Sequence, residues 1–343
     1  GSTLINSGIG RLTIQCGPDT TMSAEVRLAL YRQMLRIRLV EDRIGMLYPD
    51  QEMRCPTHLC TGQEAPPAGV SAHLRRDDLV FSGHRSHGHY LAKGGGLKGM
   101  LAELYGRETG CAAGKGGSQH LIDVDCGFMG SAPILASTIS VAVGAAWAAR
   151  MDQRDQVVAV YFGDGATEEG TFHEALNFAG TYKLAVVFVC ENNLYSVHSA
   201  LDVRQPAGRP IHTLAAAHGM AGIFGDGNDA DVTYRLAGEA VGRARRGDGP
   251  TVVEFATYRW LEHCGPNDDI NLNYRSAAEF AEWKERDPVR IYRDRLTADG
   301  LLTAAADIAM TAEIAAEIDA AVIFAKTSPF PQPDALARFV YPS

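Results

Sequence analysis

The chain has 343 residues, 46% hydrophobic and 21% charged, with a net charge of −9. That length can bury a sizeable core, while the acidic balance and the absence of a basic run exclude the clustered Lys and Arg that nucleic-acid binding needs. No stretch approaches the roughly 18 consecutive apolar residues of a membrane span, and no charged-then-apolar start suggests a secretory signal. The seven cysteines, Cys16, Cys55, Cys60, Cys111, Cys126, Cys190 and Cys264, are odd in number and lack CxxC spacing. They predict a reducing, cytoplasmic setting without structural zinc.

In chain order, residues 1–22 are rich in Gly and Thr and read as an arm before a single domain over 23–343. A long helix is predicted from Ser23 as N-cap, with Glu25 in its first turn and Leu28, Met34, Leu35, Leu39 and Ile44 on one face. Residues 52–135 alternate short elements with Gly- and His-rich loops that read as too polar for the core. The small-residue segment Ser137 to Arg150 predicts a helix that a neighbouring helix can approach closely; alternatively, it is a buried internal helix. After a βαβ unit (below), a helix near Asp231 to Arg246 leads to the strand TVVEFATY, a polar loop, and helices to about Lys326.

Two apolar runs carry the chemistry. VVAVYF ends at Gly163 and LAVVFVC ends at Glu191-Asn192-Asn193, with a helical segment between them. Such a crossover makes its strands parallel, so Asp164 and Asn193 emerge at the same carboxyl edge, where open α/β sheets bind ligands. Mg²⁺ wants six hard oxygens and takes only some from protein. Asp164 offers a carboxylate, Asn193 an amide oxygen and Tyr195 a main-chain carbonyl. Gly163 and Gly165 allow close backbone approach, and Thr167, Glu168 and Glu169 are read as opening the next helix. Its two acidic residues place a phosphate on the Gly165-Ala166 side. GDG alone is an ordinary turn; paired with Asn193 it points to a metal–diphosphate site.

Six further positions stand out. Arg85 lies among His84, His87 and His89 with no Cys, Asp or Glu between them, so a zinc site is not expected there. A guanidinium fork in a Gly-rich loop suits phosphate better, the bland alternative being a solvated basic loop. His58, before TGQEA, and His263, after TVVEFATYRW, each read alone as surface or capping histidines.

The GDG…ENN pair resembles the thiamin diphosphate motif. With THLCTGQEA (Thr57 to Ala65), FSGHRSHGHYLAKG (Phe81 to Gly94), GKGGSQH (Gly114 to His120), DGNDA (Asp226 to Ala230) and TYRW (Thr257 to Trp260), nearly the whole chain resembles the alpha subunit of the decarboxylating component of 2-oxo acid dehydrogenase complexes. The resemblance implies an α/β thiamin diphosphate-binding fold, a mainly parallel central sheet with helices on both faces. It implies thiamin diphosphate and Mg²⁺ as cofactors, with Asp164, Asn193 and Tyr195 on the metal and Gly165 and Ala166 beside the diphosphate. By the same resemblance Arg85 binds the diphosphate with His84 beside it, His263 sits nearby, His58 lines the funnel, and Leu135, next to Ile134, wedges the cofactor into a bend. A separate beta subunit would supply the activating Glu in an α2β2 assembly, with Ser137 to Arg150 as a subunit contact, and a lipoyl acyltransferase would be a further partner. The implied reaction is decarboxylation of a 2-oxo acid with acyl transfer to a lipoyl group; a two-subunit carboligase or transketolase-like enzyme, or a silent scaffolding subunit, are the alternatives.

Two departures bear on this. Pro133-Ile134-Leu135-Ala136 stands where the family usually reads GIVG, with Pro in place of a Gly that approaches the aminopyrimidine. Cys264 replaces a serine that is phosphorylated in some members, so kinase control there is not expected.

Overall fold

The computed structural model describes residues 4–5, 12–13 and 22–338. Most of the predicted arm therefore lies outside the described residues; its described parts are Met22 and a two-residue antiparallel pairing, Leu4–Ile5 with Leu12–Thr13. The centre of the molecule is a six-stranded sheet built from β1 (Leu79–Ser82), β2 (Phe128–Ser131), β3 (Val158–Gly163), β4 (Val186–Asn192), β5 (Ala221–Asp226) and β6 (Thr251–Ala256). Their spatial order is β2-β1-β3-β4-β6-β5, every neighbouring pair parallel.

Successive residues of each strand point to opposite faces, which builds two cores. On one face Val80, Ala159, Tyr161, Val187, Val189, Val253 and Phe255 pack with α1 (Ala24–Leu47), α2 (Ala65–Ser71), α3 (His87–Lys93) and α4 (Leu97–Leu104). On the other, Phe81, Val158, Val160, Phe162, Val186, Phe188 and Val252 meet α5 (Ser137–Met151) and α6 (Gly170–Thr181). The first layer is completed by α7 (Ala230–Arg245), α8 (Ala277–Glu285), α9 (Pro288–Ala298) and α10 (Ala304–Thr327), of which α9 and α10 pack on α1 and α7 on α2. Helices thus cover both faces of a parallel sheet, as expected for this architecture.

Because β2 lies outside β1 while β3 lies on its other side, the chain leaves β1 and β3 in opposite directions. That reversal opens a crevice at their carboxyl ends. Register ties Asp164 and Asn193 to it: Gly163 pairs with Glu191, and each strand ends one residue before its proposed ligand.

Three expectations need correction. Ser23 does cap α1, accepting from the Val26 N–H, but Leu28 and Leu39 are only partly buried; Tyr31, Ile37 and Val40 join Met34, Leu35 and Ile44 in the core. The polar segment 52–135 is not peripheral: Thr57, His58, Gln63, Glu64, Ser86, His87 and His89 are all buried. These groups can enter the interior because each finds a partner there. Glu41 accepts from the Cys60 N–H and binds His87 Nδ1 at 2.5 Å, while His87 Nε2 meets Ser118 Oγ at 2.7 Å. Buried Glu103 folds the GKGG loop around itself, accepting from the N–H groups of Ala112, Gly114, Gly116 and Gly117 at 2.7–3.0 Å. Third, α5 is not an internal helix: Thr138, Ile139, Ala142, Val143, Ala146 and Ala149 are buried, but Ser140, Val141, Gly144, Ala148 and Met151 form an exposed stripe.

Candidate active site

The crevice between β1 and β3 is a cleft of about 700 Å³, its open mouth included. It is lined by His84, Arg85, Ile134, Leu135, Asp164, Gly165, Ala166, Asn193, Tyr195 and His263. His58, a predicted site residue, stays behind the wall, its ring edge-on to His84 and His263 with centroids 4.6 and 4.8 Å away.

Asp164 and Asn193 face the same space from adjacent strands. Asn193 Nδ2 donates to Gln63 Oε1 at 3.1 Å, and its Oδ1 accepts from the Tyr195 N–H at 3.2 Å. The second bond fixes which end of the amide carries oxygen, since a backbone N–H can only donate, and that oxygen keeps a lone pair for a cation. Asp164 is 1% exposed, and burial pushes its carboxyl above the usual carboxylate range despite the opposing guanidinium of Arg204. Arg204 ends the short helix Leu201–Arg204, donating to both Asp164 and Glu168. A buried carboxylate needs a positive neighbour, and here Arg204 supplies it. Contrary to the sequence expectation, Thr167, Glu168 and Glu169 do not open an α-helix; Asp164–Glu168 is a 3₁₀ turn, and α6 starts at Gly170 behind Glu169 as N-cap. Gly165 is required: a Cβ there would stand 2.6 Å from Ser196 Oγ and 3.6 Å from Arg204 Nη1.

Across the cleft Arg85 is buried without a counter-ion. Its guanidinium donates only to the carbonyls of Leu59 and His263, and among the described residues no carboxylate pairs with it. Burial, with Arg259 nearby, drags its pKa down to about 10. A desolvated cation lacking an anion is a costly arrangement. It marks where an anion fits, so the solvated-loop reading does not hold.

His89 also lines the cleft, which sequence reasoning missed. Its Nδ1 meets Ser82 Oγ at 2.8 Å, its Nε2 lies 3.1 Å from Glu191, and its ring stacks on Tyr161. Gln63 and Arg204 were missed as well. Gln63 and His89 lie in the THLCTGQEA and FSGHRSHGHYLAKG blocks without having been singled out as site residues, and Arg204 reaches Asp164 only through the fold of the loop after Tyr195. The turns here are strained: Ala136, Leu194 and Val197 hold φ of 59°, 72° and 55°. Left-handed backbone at non-glycine residues concentrates at working sites, and for a β-branched valine it is a genuine outlier.

The histidines regroup. His87 and His89 turn to Glu41 and Glu191, away from the predicted neighbour His84, which instead meets His58 and His263. Burial, reinforced by Arg85, pushes His58 down to about 2, His84 to about 4 and His263 to about 3. Their folded values lie below the unfolded one near 6.5, so the folded chain holds them neutral while the unfolded chain takes up protons as the pH falls. The stability is intact above about pH 6.5 and lost below it, by up to about 1.4 kcal/mol per histidine per pH unit. Urea midpoints should therefore fall between pH 7 and 5. The triple variant H58N/H84N/H263N should show a much shallower fall; an unchanged slope would place the pH sensitivity elsewhere.

Comparison with known proteins gives a consistent result. A family model described as dehydrogenase E1 component matches residues 32–334. The alpha subunit of acetoin:2,6-dichlorophenolindophenol oxidoreductase from Bacillus subtilis is 37% identical over 324 residues, covering 94% of this chain and 96% of that protein. The pyruvate dehydrogenase E1 component subunit alpha of Porphyra purpurea is 36% identical over 321 residues, 92% of each chain, and that of Rhizobium meliloti 36% over 288 residues, 84% of this chain and 82% of the other.

Proposed function

The chain belongs to the dehydrogenase E1 component family, and from that premise we propose how its cleft is used. It is the alpha subunit of a thiamin diphosphate-dependent enzyme that decarboxylates a 2-oxo acid, working with a beta subunit. When bound, thiamin diphosphate supplies a carbanion that adds to the 2-oxo carbon and a ring that accepts the electron pair left as CO₂ departs. The observation that carries this reading is the pairing, within one cleft, of an unpaired buried guanidinium with a buried carboxylate and an oriented amide oxygen.

Each residue then has a task. Arg85 neutralises the diphosphate, its planar fork matching two oxygens, with His84 and His263 beside it. Asp164 and Asn193, with the Tyr195 carbonyl, hold Mg²⁺ through oxygen. His263 would carry a proton at the mouth of the site if a bound diphosphate stood beside it, since a nearby negative charge favours the protonated imidazole. Leu135 and Ile134, 40% and 72% exposed, present apolar surface at the cleft where the cofactor must bend. The activating Glu comes from the beta subunit, and the acyl group passes to a lipoyl acyltransferase.

Arg204 occupies one of the two Asp164 oxygens and so competes with the metal for the charge of this carboxylate. Arg204→Met should tighten Mg²⁺ binding roughly tenfold in the cofactor-loaded αβ complex, about 1.4 kcal/mol by calorimetry. Unchanged or weaker binding would show that the guanidinium does not compete.

The test of function is reconstitution. Co-purified with its beta subunit and given thiamin diphosphate and Mg²⁺, the complex should reduce 2,6-dichlorophenolindophenol in the presence of a 2-oxo acid. NAD reduction after adding an acyltransferase and a flavoprotein would establish the lipoyl route. Acyloin formed without any electron acceptor would favour the carboligase reading, and no turnover with cofactor bound would overturn the proposal.

A further inference from the structure

The turn that carries Asn193 and Tyr195 into the cleft is held from behind by a buried carboxylate. We propose that Glu254, acting through Asn192, is the positioning residue that aims the oxygen ligands of the metal, an inference that rests on the use of the cleft given above.

Glu254 lies in β6 and Asn192 ends β4, on the face shared with Val252 and Cys190, and they are 3% and 5% exposed. A carboxylate set into an apolar layer needs donors for both of its oxygens. Oε1 accepts from Asn192 Nδ2 at 2.8 Å, and Oε2 accepts from the His212 N–H at 2.9 Å and from His212 Nδ1 at 2.8 Å. Because a carboxylate can only accept, the nitrogen end of the Asn192 amide must face it. The oxygen end is thereby turned forward, where it accepts from the Leu194 N–H at 3.1 Å. Leu194 has a φ of 72°, a left-handed conformation that an L side chain keeps only where its surroundings enforce it. A second bond, from the Leu201 N–H to the Leu194 carbonyl at 2.8 Å, closes the turn. Asn193 and the Tyr195 carbonyl are aimed by this turn.

The same carboxylate reaches the other half of the site. His212 ends the loop that begins after Tyr195, and that loop carries Arg204 and Gln205. Arg204 donates to Asp164, while Gln205 Nε2 donates to the Asp164 carbonyl at 3.4 Å and to Thr167 Oγ1 at 3.0 Å. Glu254 therefore ties together, through Asn192 and His212, the two segments that fix Asn193 and Asp164. Neither Glu254 nor Asn192 lines the cleft, so their effect passes through the ligands they hold. Groups placed behind metal ligands in this way set affinity by about 10- to 100-fold.

The test is calorimetry of Mg²⁺ with the αβ complex in the presence of thiamin diphosphate. Glu254→Gln places an amide nitrogen against either Asn192 Nδ2 or the His212 N–H, and should weaken Mg²⁺ roughly tenfold with the number of sites per complex unchanged. A purely structural role would lower the number of sites instead. The double variant N192D/E254Q reverses the polarity of the pair: the new amide donates to the new carboxylate, and the Leu194 and His212 N–H groups keep their acceptors. Its affinity should return to within about threefold of wild type. Asn192→Asp alone, which sets two carboxylates against each other, should not bind Mg²⁺ more tightly than wild type; tighter binding would assign the recovery to charge and overturn the proposal. Unchanged affinity in Glu254→Gln, or a double variant as weak as that single one, would also overturn it. Should the variants misfold, a crystal structure of the loaded wild-type complex decides, and a metal held by Asn193 with the Asn192–Glu254 bond broken would end the proposal. Failure of the wild type itself to bind thiamin diphosphate with Mg²⁺ would instead remove the reading of the cleft.

Discussion

Asp164→Ala should abolish the coupled binding of Mg²⁺ and thiamin diphosphate by the αβ complex, with a loss of at least about 100-fold in metal affinity, about 2.7 kcal/mol. Two effects act together. One oxygen ligand disappears, and with it the charge that offsets the metal in a place where Asp164 is 1% exposed. The substitution also leaves Arg204 with Glu168 as its partner, so the loop keeps an anchor and the chain should fold. Asp164→Asn sharpens the result. It preserves shape and an oxygen donor but not the charge, so a loss nearly as large would assign most of the effect to charge, whereas near-normal binding would assign it to ligand number. Calorimetric affinity for Mg²⁺ within a few-fold of wild type in both variants would remove Asp164 from the site.

The same residue shows why part of the site was legible in the sequence. A β-branched run ending in GDG, a crossover segment and a second run ending in Asn-Asn force two strands to be parallel and neighbouring, and parallel strands share an edge. Nothing about the rest of the chain is needed for that step. The polar loops were misread because burial of polar groups is decided by partners, and the partners of His87, Glu41 and Ser118, are far away in sequence. The histidines were misgrouped for a related reason: His87 and His89 fall within α3 and its interior contacts, whereas His84 stays in the loop before it. Arg204 gave no signal at all, since a lone arginine in a polar loop looks like any solvated cation. The exposed stripe of α5 was open between two readings because small residues suit a buried helix and a subunit contact equally; only its accessibility decides against the former.

Arg85→Met should separate affinity from stability, which makes it the more informative of the two experiments. In this structure Arg85 is 9% exposed and bears its charge with carbonyl acceptors alone, and burial pulls its pKa from the usual guanidinium range down to about 10. A shift of that size corresponds to about 3 kcal/mol by which the fold disfavours the charged form. Methionine removes the charge and keeps most of the length, while the Leu59 and His263 carbonyls lose their donors at about 1 kcal/mol each. The two nearly offset, so the thermal midpoint without cofactor should stay within a few degrees of wild type or rise. Thiamin diphosphate affinity should meanwhile fall roughly 100-fold, because a charge-assisted, two-oxygen grip contributes about 2–3 kcal/mol. Arg85→Lys should fall between the two, since a lysine returns the charge without the fork. A variant that unfolds would make Arg85 a structural residue held by its carbonyls, and a stable variant that binds thiamin diphosphate normally would mean that the diphosphate does not lie against this guanidinium.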